Sequence, residues 1–270
     1  MMMTLTETAL DFAALARAKS EILKDNRPGF LVAAAMAGAY VGIGILLIFS
    51  VGETVPASVR PMVMGCSFGI ALTLVVFAGA ELFTGHAMYM TLGVLAGTVP
   101  LRDLAGTWVA TWIGNLAGCV ALAALFVIAG SAILADGASL LNAVAAKKMA
   151  MPASELVARG ILCNWLVCLA IWCAARTAND AAKCILIFWC LYAFIACGFE
   201  HSIANMTVFS VALLSDHPDN VTLVGAARNL VWVTLGNTIS GAGFMGLGYW
   251  LASGRPRVGR HKSQPLAAES

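Results

Sequence analysis

Charge is what this sequence has least of: Asp, Glu, Lys and Arg make up 11% of its 270 residues, against 60% for the apolar types. A soluble domain carries about 25% charged residues, so that class is excluded and an integral membrane protein, in contact with membrane lipid, is expected. The net charge of +2 is too small to hold a nucleic-acid backbone. Cys-x-x-Cys pairs are missing, and the eight cysteines (Cys66, Cys119, Cys163, Cys168, Cys173, Cys184, Cys190 and Cys197) all fall inside apolar runs. They are expected to be buried free thiols, with no disulfide, metal or cofactor to serve. The first 28 residues hold no apolar h-region and no cleavage signature, so the first span itself is expected to target the chain.

What is present is a series of apolar runs, two of them interrupted. The run from Cys184 to Ser215 is broken by Glu200 and His201, and the run from Pro61 to Leu101 by Glu81 to His86. Each exceeds the ~20 residues of one span. Neither contains a polar turn that would divide it into two, so each reads as one broken span with a half-helix on either side. Ionisable groups at that depth are expensive and mark functional sites.

In order, Thr4 and Glu7 suggest a capping box for an amphipathic helix lying on the membrane surface over residues 1–28, ended by Pro28 and Gly29. A transmembrane domain follows over 29–253. Its spans are expected at 30–51, 61–101, 102–135, 155–175, 184–215 and 228–252, and a basic tail occupies 254–270. Residues 136–154, with Lys147 and Lys148, read as the longest loop. Six spans place both termini on one side. Five of the sixteen Lys and Arg (Arg60, Lys147, Lys148, Arg159 and Arg228) fall on the other side, and the positive-inside rule then makes the termini cytoplasmic.

The two interruptions resemble each other. Glu200 follows Glu81 by 119 residues, and Gly236-Asn237 follows Gly114-Asn115 by 122. The offset suggests two halves of three spans, and a half with an odd number of spans must insert upside down. The broken segments would then meet near the midplane, where transporters of this design bind their substrates.

His201 is the residue there that titrates near neutral pH, and it can attract a small anion, lend it a proton, or hold the break as a structural hydrogen-bonder. Neighbouring positions on a helix point in different directions, so Glu200 and His201 are not expected to share one lumen. Glu81 and Glu200 are expected to accept bonds from loop amides and stabilise the breaks. Lys147 and Lys148 read either as solvated residues or as cations focusing anions into an entrance. Asn164, in mid-span, needs a polar partner such as His201, a backbone break or an anion. Leu72, Leu82, Phe83 and Phe194 flank the breaks and form apolar constrictions or merely pack. His86 is expected to pack or cap; His217 and His261 fall in a loop and in the tail.

Three stretches carry a resemblance to a known family: Glu81-Leu82-Phe83-Thr84-Gly85, Asn164-Trp165-Leu166-Val167-Cys168-Leu169 and Gly198-Phe199-Glu200-His201-Ser202-Ile203-Ala204-Asn205-Met206. In these the chain resembles the formate/nitrite transporter family, in its nitrite branch. The resemblance implies an all-α, aquaporin-like channel and a homopentamer with one pore per subunit. It also implies passage of nitrite and similar small monovalent anions across the bacterial inner membrane, for which proton coupling through the central histidine and a plain conducting channel are the two mechanisms open. By position it makes His201 that histidine, Thr84 the polar residue facing it, Asn164 its hydrogen-bonding companion and Lys148 the vestibule cation. Phe68 joins Leu72, Leu82, Phe83 and Phe194 as constrictions.

Formate or hydrosulfide passage is the alternative within that architecture. A water or glycerol channel would want Asn-Pro-Ala at each half-helix, and none is present. A membrane haem enzyme would draw its paired axial ligands from His86 and His201. An anion sensor or scaffold would bind without flux.

Overall fold

The computed structural model describes residues 2–130, 132–134 and 139–258. Among these the regular structure is helical: α1 (Leu5–Asp25), α2 (Arg27–Glu53), α3 (Arg60–Ala78), α4 (Phe83–Ala96), α5 (Leu101–Ile128), α6 (Ser139–Ala150), α7 (Ala153–Ala175), α8 (Asp180–Ala196), α9 (Ser202–Leu214) and α10 (Leu223–Ala252), with one 3₁₀ turn at Ala132–Leu134. The middle of α10, Ile239–Leu247, is π-helical. The tail from residue 259, with His261, and residues 135–138, where the expected third span ends and the expected loop begins, lie outside the described residues.

Five helices, α2, α3, α5, α7 and α10, are each long and apolar enough to cross a membrane. The expected fifth span is different: α8 has 17 residues and α9 has 13. At 1.5 Å per residue, neither reaches the ~30 Å of a hydrocarbon core alone.

The small residues decide which helices touch. A Cβ on Gly118 of α5 would lie 1.8 Å from the Ala35 carbonyl oxygen of α2. Likewise, a Cβ on Gly236 of α10 would lie 2.4 Å from the Val157 oxygen of α7. Backbones come this close in lipid because dispersion between them replaces the hydrophobic drive available in water.

Two local expectations are corrected. Pro28 does not end the first helix; that helix stops at Asn26, and Pro28 sits in the first turn of α2, where its missing N–H costs nothing. Lys147 and Lys148 are not in a loop but in the last turn of α6, where cations offset the partial negative charge of the helix end.

α1 begins with the reciprocal Thr4–Glu7 capping box. Thr8, Phe12, Ala16 and Ser20, spaced four apart, form its buried face. That face covers α4 and part of α7 of the same chain: the Phe12 ring stacks on Tyr89 of α4 and Trp172 of α7 at 6.3 and 5.6 Å, and Thr98, just beyond α4, donates to the Ala13 carbonyl. Burying Phe12 contributes about 2–3 kcal/mol to this docking. α1 precedes the N-terminal end of α2, whereas α6 sits at the other end, with Leu140 against Gly52. With 27 residues, α2 is about 40 Å long.

Candidate functional site

Each break starts with a glycine in the left-handed region, Gly79 at φ 74° and Gly198 at φ 70°. Any other L-residue there would cost about 1–2 kcal/mol. The chain then runs extended to the next helix, which exposes amides that need partners.

Those partners are matched. In the first break the Glu81 amide donates to the Ala33 carbonyl of α2, and the Phe83 amide donates to Asn115 Oδ1 at 3.0 Å. Asn115 Nδ2 donates in turn to the carbonyls of Ala34 and Glu81. In the second break the Glu200 amide donates to the Arg159 carbonyl, and the Ser202 amide donates to Asn237 Oδ1 at 2.9 Å. Asn237 Nδ2 donates to the carbonyls of Gly160 and Glu200. The asparagines that marked the internal repeat in the sequence are thus the residues that clamp the breaks.

The two glutamates do something else, contrary to expectation. Their carboxylates take side-chain donors rather than loop amides, because the asparagine oxygens and the carbonyls of Ala33 and Arg159 already hold those amides. Glu200 Oε1 accepts from Lys148 Nζ at 2.7 Å, and its Oε2 accepts from Asn205 Nδ2 at 2.6 Å. Glu81 Oε1 accepts from Lys19 Nζ, and Oε2 lies 2.9 Å from His86 Nε2. Lys19 was not singled out in the sequence. Its spacing within α1 is that of an ordinary solvated face, and only docking of α1 brings it to Glu81.

His201 is the N-cap of α9. Its Nδ1 accepts from the Ala204 amide at 3.2 Å, so in the neutral ring the hydrogen is on Nε2, which lies 3.3 Å from Thr84 Oγ1. The ring of Phe194 stacks on it at 6.0 Å. On one side a vestibule of about 330 Å³ opens, lined by His201, Glu200, Asn205 and four cations, Arg60, Lys147, Lys148 and Arg159. On the other is a void of about 10 Å³ lined by His201, Phe68, Leu72, Leu82, Val41, Ala71, Val167, Leu191 and Phe194. That is room for about one water.

Three further expectations change. Glu200 and His201 line one vestibule, because both lie in the extended stretch before α9 and not on a helix. Asn164 does not bond to His201: its Nδ2 donates to the carbonyls of Thr84 and Asn237, at 3.2 and 2.7 Å. It thereby ties the start of α4 to α10. Phe83 is not among the side chains lining the void; its ring meets Trp108 edge-on. Arg159 was overlooked in the sequence as a site residue, and it donates to the Gly198 carbonyl at 3.0 Å while lining the vestibule.

The profile described as formate/nitrite transporter matches residues 6–251. A curated relative, the nitrite transporter NirC of Salmonella typhimurium, is 52% identical over 97% of this chain and 98% of its own. A solved FNT family ion channel is 53% identical with a TM-score of 0.90, over 92% of this chain and 99% of that one. A pentameric formate channel with formate bound gives a TM-score of 0.70 at 28% identity, over 83% and 96% of the two chains. These proteins are transporters and channels, which sets aside the haem-enzyme reading. Since the likeness runs from the second residue of α1 to the penultimate residue of α10, taking in both clamped breaks, this chain belongs to the formate/nitrite transporter family.

Proposed function

We propose that the chain carries nitrite, a small monovalent anion, across the bacterial inner membrane. In this reading it works as a homopentamer with one pore per subunit and both termini in the cytoplasm. The observation that carries the reading is the position of His201, whose ring lies between a cation-rich vestibule of about 330 Å³ and an apolar void of about 10 Å³. Lys148 and its neighbouring cations gather the anion, and Thr84 and His201 Nε2 bind it. Phe68, Leu72, Leu82 and Phe194 form the apolar passage. Moving a bare anion through that passage costs at least several kcal/mol in lost hydration. Nitrite that takes up a proton crosses as neutral nitrous acid and avoids the cost. His201 cannot readily supply this proton, because its Nδ1 is occupied by the Ala204 amide and release from Nε2 would leave an imidazolate. The proton comes with the anion, and Nε2–H orients and polarises it. The choice of nitrite over formate or hydrosulfide rests on the 52% identity to the nitrite transporter.

The architecture we infer is a pair of inverted halves, α1–α5 and α6–α10, with three spans each. α3 with α4, and α8 with α9, supply the broken spans. Its support is the bond-for-bond match of the breaks, including Lys19 on α1 and Lys148 on α6, the helices at opposite ends of α2. Nitrite uptake into proteoliposomes, with current and internal pH recorded together, tests the function. Electrically silent entry with an acidifying lumen, as nitrous acid gives up its proton inside, and its loss in His201→Ala are expected. Unaltered uptake in His201→Ala would remove the histidine from the mechanism.

A further inference from the structure

The two breaks differ in chemistry at one matched pair of positions. Five residues after Glu200 stands Asn205, an amide that cannot titrate, and five residues after Glu81 stands His86, an imidazole that can. Each serves the same atom of its glutamate, Oε2, while a lysine takes Oε1. Since a carboxylate accepts, His86 Nε2 carries a hydrogen. His86 Nδ1 is buried and has no hydrogen-bond partner among the described residues. A proton can therefore be added at Nδ1 while the Nε2–H···Glu81 bond stays intact, which is not possible at His201.

Of the charges around this proton, Glu81 favours it, while Lys19 and the burial of the ring oppose it. Among the described residues, the charged groups that face His86 are Glu81 and Lys19. Tyr89 on its own helix lies with ring centroids 4.7 Å away. α2 presents the edge of Phe30, and α5 presents Trp108, whose Nε1 donates to the His86 carbonyl. α7 brings the Cys168 thiol, which donates to the Thr84 carbonyl. α10 meets α4 through Gly241 and Gly246.

We propose that His86 is a positioning residue for anion entry, which takes up a proton at Nδ1 and thereby sets the charge of the Lys19–Glu81 pair at the α1 end of the pathway. The inference rests on the anion-pathway reading above. With His86 neutral, the three groups sum to zero. With His86 protonated they sum to +1, and Glu81 has a second cation, so Lys19 is released toward an incoming anion. No covalent bond other than the new N–H changes. The α6 end, where Asn205 occupies the matching place, stays insensitive to pH.

The test uses the full chain in proteoliposomes, with the pH of one side varied at a time and nitrite flux compared between the native protein and His86→Asn. That variant copies the arrangement already present at Glu200. Taking the ratio of the two fluxes cancels the pH dependence of nitrous acid itself. On the α1 side the ratio is expected to rise from about 1 at pH 8 up to about tenfold at pH 5.5, the low end of what charge in a cleft adds to an on-rate. A second measurement leaves His86 unchanged: the ¹⁵N spectrum of histidine-labelled native protein, assigned by elimination with His201→Ala, His217→Gln and His261→Gln. The His86 ring should gain a proton at Nδ1 over the same range. A flat flux ratio, or a ring that stays neutral to pH 5.5, overturns the proposal. Absence of any nitrite flux in the native protein would instead strike at the function, while the titration would still report on His86.

Discussion

Replacing Asn237 with Ala is the sharpest perturbation of the clamped breaks. The side chain is fully buried and makes three bonds, accepting from the Ser202 amide at 2.9 Å and donating to the carbonyls of Gly160 and Glu200 at 2.8 and 3.1 Å. Gly160 lies within α7 and keeps its helical hydrogen bond, so its carbonyl loses little. The Ser202 amide and the Glu200 carbonyl have no substitute, and leaving a buried backbone group unsatisfied costs about 1–3 kcal/mol. The loss is then about 2–6 kcal/mol. By the size scaling of thermal unfolding, that lowers the melting midpoint by roughly 5 °C or more. Thermal size-exclusion chromatography of detergent-solubilised protein measures it, with Lys183→Ala on the exposed side of Asp180 as a control. Asn115→Ala should lose a similar amount, and because the two asparagines share no partner the double variant should show the sum. If Asn237→Ala melts within a degree of the control, the breaks are held by packing and the hydrogen-bond account is wrong.

Lys148→Met leaves the buried Glu200 carboxylate with Asn205 alone. Removing one partner of a buried pair costs up to about 3–5 kcal/mol, less here because the lysine keeps some solvent contact. Adding Glu200→Gln should recover the stability, read by the same melt, but not the nitrite uptake, since the vestibule has lost its cation. Recovery of both would make Lys148 purely structural. Gly198→Ala meets no steric obstacle, its nearest neighbour being Arg159 Nη1 at 3.7 Å, so its cost is the left-handed backbone alone, about 1–2 kcal/mol. A melt unchanged by this substitution would mean that the break relaxes freely.

The broken spans were legible because charge in lipid is conspicuous. Glu81 and Glu200 stand out of apolar runs, and their similar spacing from Asn115 and Asn237 gave away the repeat. What those residues bond to was not legible. Periodicity reports which face of a helix is apolar, but the extended stretches before α4 and α9 have no period, so Glu200 and His201 were assigned opposite directions and in fact share a vestibule. Asn164 was rightly read as needing a partner, but its amide bridges two backbone carbonyls far apart in sequence. Lys19 was hidden for the same reason: its partner Glu81 is 62 residues away, and only the Phe12 stack shows which way α1 turns. The helix carrying Lys147 and Lys148 was missed because its apolar pattern is weak and it follows a stretch that reads as loop.

Both short helices start, rather than finish, at the breaks. α4 begins at Phe83 with no side-chain cap, and α9 begins at Ser202 behind His201. The start of an α-helix acts as roughly half a positive charge. Two such starts flank the narrow void, so its potential is positive although none of the side chains lining it other than His201 is ionisable. A field made from peptide bonds cannot be titrated away or screened by rotating a side chain. It favours negative charge and opposes positive charge, whatever the pH. Under the proposed function, the same backbone field would oppose a bare proton, so the two helix starts would also guard the membrane against proton leak.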